Sequence, residues 1–162
     1  MIVLGIDPGT ANTGYGVVAR SGGRLVALDG GVIKASGDLA ARLCAIHARV
    51  GELIGTHRVQ SVAVEDIYFG ANARSAFAVG QARGVVLLAA GQAGLECASY
   101  TPQQVKSAVC GSGRAEKLQV QRMVQTLLSL TELPRPDHAA DALAVAICHA
   151  GSVPLRQAVA AL

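Results

Sequence analysis

The chain opens on an apolar, β-branched run, Ile2 to Ile6, that ends in Asp7 and a Pro8-Gly9 turn. A short run with no polar alternation predicts a strand buried on both faces. Asn12-Thr13-Gly14 adds further turn residues, so the sequence predicts a hairpin into a second strand, Tyr15 to Arg20. Arg24 to Leu28 and Gly31 to Ile33 predict a third strand, with Gly30-Gly31 as the place for a β-bulge. Three strands joined by short turns make an antiparallel meander.

The pattern then switches to helical spacing. Leu39, Leu43, Ile46, Val50 and Leu53 recur at three and four residues, after a start signal at Ser36-Gly37-Asp38 and before a stop at Gly55. Ser61 to Glu65 is another apolar strand that ends in an acid. The helix before it allows a crossover, so this strand can return parallel to the first. If the two are neighbours, Asp7 and Glu65 stand side by side, and one pKa must rise unless a cation bridges them. Ile67 to Arg74 reads as a loop carrying Tyr68 and Phe69, followed by a helix of small residues from Ser75 to Gly91. That helix can approach the sheet closely, or a second copy of itself. Leu95 to Ser99 is a fifth strand. Thr101-Pro102-Gln103-Gln104 carries a capping box, and its helix buries Val105, Ala108 and Val109 before stopping at Gly111. A further helix starts near Ala115, with Val120, Met123, Val124, Leu127 and Leu128 on one face. Leu133 to Pro136 is a stiff connector into a last helix from Asp137, as N-cap, to about His149. His138 and Asp141, three apart, share a face of its first turns. His47, His57 and His149 are read as structural.

Length and composition narrow the picture. At 162 residues, 51% of them hydrophobic, the chain reads as one domain over 1–162, with 151–162 as a short tail. No signal peptide is apparent, and the longest charge-free apolar stretches, 84–95 and 142–155, are too short for a membrane span. The expectation is a soluble cytoplasmic protein that does not engage a membrane. Cys44, Cys97, Cys110 and Cys148 lie at no zinc-ligand spacing and read as small buried hydrophobes. The net charge of +3 would become +6 with Asp7, Glu65 and Asp141, three of eleven acids, neutralised by metal against fourteen basic residues. That balance suits nucleic acid. Lys106, Arg114 and Lys117 flank the Gly111-Ser112-Gly113 loop, where backbone could approach phosphate. Tyr68 or Phe69 could stack on an unpaired base beside the acids, and Arg74 stands at the end of the same segment.

The order of elements is β-β-β-α-β-α-β-α-α-α, with acids ending the first and fourth strands and opening the last helix. This resembles the α/β ribonuclease-H-like fold, a five-stranded mixed sheet flanked by helices. More closely, the chain resembles the RuvC family of Holliday-junction resolvases. The residues that carry the resemblance are Leu4-Gly5-Ile6-Asp7-Pro8-Gly9 with Thr13-Gly14-Tyr15-Gly16, and Val64-Glu65. Gly80-Gln81-Ala82-Arg83-Gly84, Val105-Lys106, Ala115-Glu116-Lys117 and His138 to Ala144 add to it. The match runs from Ile2 to about His149.

The resemblance implies a crossover junction endodeoxyribonuclease of recombination and repair. It would be a homodimer that nicks two opposing strands of a four-way DNA junction and works beside the RuvA–RuvB branch-migration complex. It implies that Asp7, Glu65, His138 and Asp141 form the catalytic and metal-binding group. Lys106 and Lys117 match DNA-contact positions, and Tyr68 matches the aromatic after the second acid. Two Mg²⁺ or Mn²⁺ ions held by these carboxylates could clamp an in-line attack on phosphorus and leave a 5′-phosphate. Asp7 would bridge both ions, while Glu65 and Asp141 would each hold one. His138 stands where some members carry Asp, and its imidazole would favour Mn²⁺. The Gly5-to-Thr10 turn with Thr13-Gly14 also resembles the first phosphate loop of the actin–sugar-kinase class, but those proteins enclose nucleotide between two such domains. A non-cleaving junction scaffold on the same fold is the other rival, opposed by the intact acid set.

Overall fold

A computed structural model describes the backbone of residues 1–66 and 73–160, and the side chains of 1–66 and 76–152. Five strands form one sheet: β1 (Ile2–Asp7), β2 (Asn12–Ser21), β3 (Arg24–Lys34), β4 (Ser61–Glu65) and β5 (Cys97–Tyr100), in the spatial order β3-β2-β1-β4-β5. The meander β1-β2-β3 is antiparallel, whereas β4 lies parallel to β1, and β5 parallel to β4. The helices are α1 (Leu39–His57), α2 (Ala73–Gln92), α3 (Pro102–Cys110), α4 (Lys117–Leu127) and α5 (Asp137–Ala160).

Both faces of the central strands are covered, which explains their unbroken apolar sequence. On one face Leu4, Ile6, Val17, Val62 and Val64 pack with Ile46, Val50 and Leu53 of α1 and with Val86 of α2. On the other, Val3, Val18 and Ala63 lie under α5, flanked by Val105 and Val109 of α3 and Val120 and Val124 of α4. From Ala142 to Ala150 every residue of α5 is buried. A helix apolar all round belongs inside the protein.

α5 can lie so close because the sheet beneath it is glycine. Gly5 pairs with Gly16, and Gly14 with Asp7, on the α5 face. A Cβ at Gly5 would collide with the Ala142 carbonyl oxygen, and one at Gly14 with the carbonyl oxygen of His138.

Several boundaries differ from the sequence expectation. Asn12 to Gly14 belong to β2 itself, and the turn is confined to the residues before it; Thr13 closes that turn by donating its Oγ1 to the Gly9 carbonyl at 2.6 Å. The irregularity in β3 falls opposite Val17 and Val18, where Leu28 is the unpaired residue, while Gly30 and Gly31 pair regularly. α1 runs past Gly55 to His57 and ends on Arg58, in the left-handed region at φ 51°. Its start is capped as expected, with Asp38 accepting from the Ala41 amide. The capping box of Thr101 and Gln104 is also formed.

The largest difference is α5, which continues through Gly151 and Pro154 to Ala160 instead of stopping near His149. A proline has no N–H for the carbonyl four residues back, here that of Ala150. The guanidinium of Arg20 on β2 donates to that carbonyl and so replaces the missing bond. The cysteines are all free thiols, but only Cys148 is buried, and Cys44 is exposed. No helix among the described residues is long and apolar enough to cross a membrane.

Candidate active site

β1, β4 and β5 run parallel, so their C-terminal ends share one edge of the sheet. The register Gly5–Ala63 and Ile6–Val64 brings the next residues, Asp7 and Glu65, side by side at that edge. Both point to the α5 face, because Gly5 and Ala63, two residues earlier, do so. α5 lies antiparallel to β4. Ser61, at the start of β4, is 2.7 Å from Nε2 of His149, and Asp141 comes to Glu65 at the other end. The eight residues from 141 to 149 rise about 12 Å in a helix, and the four from 61 to 65 about 13 Å in a strand. The two spacings match, so the contact at His149 sets the axial position that delivers Asp141. His149 is buried, and its Nδ1 lies 2.9 Å from the hydroxyl of Tyr100, the residue paired with Glu65 on β5. The sequence reading of His149 as structural holds in that sense.

Burial, together with the neighbouring charges of Asp7 and Asp141, pushes Glu65 from 4.5 up to about 7. Asp141 is also raised, chiefly by burial, although Lys117 opposes the shift. Two basic residues, a histidine and a lysine, reach these acids. Nδ1 of His138 is 2.7 Å from Oδ2 of Asp7, and Nζ of Lys117 is 3.4 Å from Oδ2 of Asp141. Lys106 and Lys117 line the same cleft as Glu65 and Asp141, a space of about 190 Å³ floored by Val105, Val120 and Ala144. Of the expected set, the structure therefore brings together Asp7, Glu65, His138, Asp141, Lys106 and Lys117. Arg114 is exposed in the loop before α4 and does not line this cleft. Tyr68 and Phe69, and the side chain of Arg74, lie outside the described residues.

Asp137 is not the N-cap. It is the first residue of α5, the amides of Ala139 and Ala140 donate to the carbonyl of Pro136, and its carboxylate turns to Lys117 and Gln121 of α4. Sequence reasoning missed the packing role of Gly5 and Gly14 under α5, and Ser61, since these signals appear only once the partner of each strand face is known. Arg83 of α2 donates from Nη2 to Ser99 at 2.7 Å and lies 3.7 Å from Asp66, tying that helix to the residue after Glu65.

As the side chains stand, no three His, Cys, Asp or Glu groups among the described residues surround a common point closely enough to hold an ion. His138 is turned onto Asp7 and Lys117 onto Asp141. The donor set nonetheless fits a hard divalent cation. Three carboxylates meet at one edge, and Glu65, raised by burial and then by the charges of Asp7 and Asp141, stands where a cation would relieve their repulsion.

A mixed sheet of this order, with acids ending two adjacent parallel strands and a third opening the helix packed across them, defines an α/β protein of the ribonuclease-H-like class. The model of the family described as crossover junction endodeoxyribonuclease RuvC matches residues 3–149. The chain belongs to that family. It is 55% identical over 159 residues to the crossover junction endodeoxyribonuclease RuvC of Moorella thermoacetica, covering 97% of this chain and 95% of the relative. The solved structure of Thermus thermophilus RuvC superposes with a TM-score of 0.88 at 43% identity, and that of T. thermophilus RuvC in complex with Holliday junction substrate with 0.91 at 44%. Each covers 96% of both chains.

Proposed function

We propose that this chain is a metal-dependent endonuclease that resolves Holliday junctions by paired nicks in opposing strands. The observation that carries the reading is the meeting of Asp7, Glu65 and Asp141 at one sheet edge, with Glu65 raised to about 7 and two lysines on the wall of the same cleft. Membership of the endodeoxyribonuclease family supports it, as does the likeness to a relative solved on junction substrate.

In this reading Asp7, Glu65 and Asp141 would hold two Mg²⁺ or Mn²⁺ ions, Asp7 contributing to both and Glu65 and Asp141 to one each. When bound, such ions polarise the scissile phosphate and lower the pKa of an attacking water. The chain's own groups orient and exclude. Lys106 and Lys117 draw the phosphate backbone into the cleft. The apolar floor of Val105, Val120 and Ala144 limits bulk water there. His138 is placed to hold a proton or a ligand beside Asp7. The DNA surface extends over Arg114 and, outside the described residues, Tyr68, Phe69 and Arg74.

The whole of 1–162 acts as one nuclease domain in the cytoplasm, as a homodimer that works beside the RuvA–RuvB complex. The dimer reading is supported by α2, which exposes Phe77, Gly84 and Leu88 along one stripe, with Phe77 72% exposed. Denaturing-gel mapping of a labelled four-way junction with Mg²⁺ or Mn²⁺ tests the proposal. Symmetric paired nicks in the junction, with a linear duplex left intact, are the expected result. Binding without cleavage across several junction sequences and both metals would overturn it.

A further inference from the structure

Asp137 stands beside the site yet has no part in the reaction as described. α4 and α5 face each other through two pairs of side chains, each pair one helical turn apart: Lys117 and Gln121 on α4, Asp137 and Asp141 on α5. Gln121 donates from Nε2 to Oδ1 of Asp137 at 3.0 Å. The ammonium of Lys117 lies 3.1 Å from Oδ2 of Asp137 and 3.4 Å from Oδ2 of Asp141. One lysine is thus shared between an acid of the metal site and an acid outside it.

We propose that Asp137 is a positioning residue for Lys117: it retains the ammonium at the rim of the cleft when a divalent cation takes Asp141. The inference rests on the reading of Asp141 as a cation ligand. An ammonium 3.4 Å from Oδ2 of Asp141 opposes the arrival of a second positive charge at the same carboxylate, so Lys117 must withdraw. Without Asp137 it would give up its remaining ion pair among the described residues and move toward solvent. With Asp137 it exchanges a shared contact for a single one a turn away. Gln121 occupies Oδ1 of Asp137 and so keeps Oδ2 turned to the lysine. Asp137 thereby eases cation entry and holds Lys117 where a DNA phosphate will need it.

The test is Mn²⁺ binding to the full chain without DNA, followed by the electron-spin resonance of free Mn²⁺ at low ionic strength, where exposed charge pairs are least screened. Lys117→Ala should tighten binding. Asp137→Asn should weaken it about two- to fivefold, the span open to an exposed ion pair, and Asp137→Glu should restore it. In the Lys117→Ala background, Asp137→Asn should change nothing further. Equal weakening in both backgrounds would mean that Asp137 contributes only its charge, and would overturn the proposal; so would no effect in either. An Asp141→Asn control that binds Mn²⁺ as the parent does would instead remove the site reading on which the proposal depends.

Discussion

Glu65→Gln should stabilise the metal-free protein while destroying its cleavage activity. The carboxyl rises from 4.5 to about 7 because it is buried beside Asp7 and Asp141. A group with its folded-state pKa raised holds its proton longer in the folded than in the unfolded chain. Stability therefore falls as pH climbs from 4.5 toward 7 and then levels off. Converted at about 1.4 kcal/mol per pH unit, the full loss is about 3 kcal/mol. Glutamine keeps the shape and removes the charge, so the variant escapes that loss. Urea unfolding in EDTA should show Glu65→Gln more stable than the parent by about 2–3 kcal/mol at pH 8. At pH 4.5 the gap should shrink to about half a kcal/mol or less, because the parent's carboxyl is then protonated in the folded state and half protonated in the unfolded one. Comparing variant and parent at each pH cancels the titrating groups that are not coupled to Glu65. Adding Mn²⁺ at pH 8 should raise the parent's stability and narrow the gap. A gap that is absent at pH 8, or constant across the range, would refute the account of Glu65 as a buried, charge-repelled acid.

Asp7→Asn should abolish cleavage and leave junction binding intact, which gel mapping and a mobility-shift assay would show together. Replacing both Lys106 and Lys117 with Ala should weaken junction binding and flatten its dependence on salt, by a slope of about 1 for each lost phosphate contact; an unchanged slope would make them bystanders. Gly14→Ala drives a methyl into the backbone of α5 at His138 and should cost about 2–3 kcal/mol, read as a lower unfolding midpoint. Arg20→Met leaves the buried Ala150 carbonyl without a partner and should cost about 1–3 kcal/mol. A second change, Pro154→Ala, restores an N–H at that turn and should recover part of the loss.

The sheet was legible because each strand is a short apolar run and each connection has a length that permits one kind of pairing. The parallel return of β4 beside β1, which joins Asp7 to Glu65, followed from the helix between them. Apart from the family resemblance, Asp141 was legible only as the partner of His138 on one helical face, since nothing local says what that face meets. The end of α5 was misplaced for a physical reason: a proline is a stop signal until something else satisfies the carbonyl it strands. The residue that does so, Arg20, lies 130 positions before Ala150 in the chain. Asp137 has the sequence signature of a cap, but Pro136 already supplies the carbonyl for the first amides. Its carboxylate was therefore free to turn to α4.

The catalytic edge depends on residues with no chemistry of their own. An acid on a helix can join two acids on strands only if the helix lies at the right height above the sheet and at the right point along it. The height is set by Gly5 and Gly14, where any side chain would meet the α5 backbone. The position along the sheet is set eight residues away, where His149 meets Ser61 and Tyr100. Exchanging that buried imidazole for a larger apolar group could keep the core filled and still slide α5 along β4. A slip of one residue, about 1.5 Å along the axis and about 100° around it, would swing Asp141 away from Glu65. Glu65 would then lose one of the two acids that repel its charge, and its pKa should fall even though the fold survives.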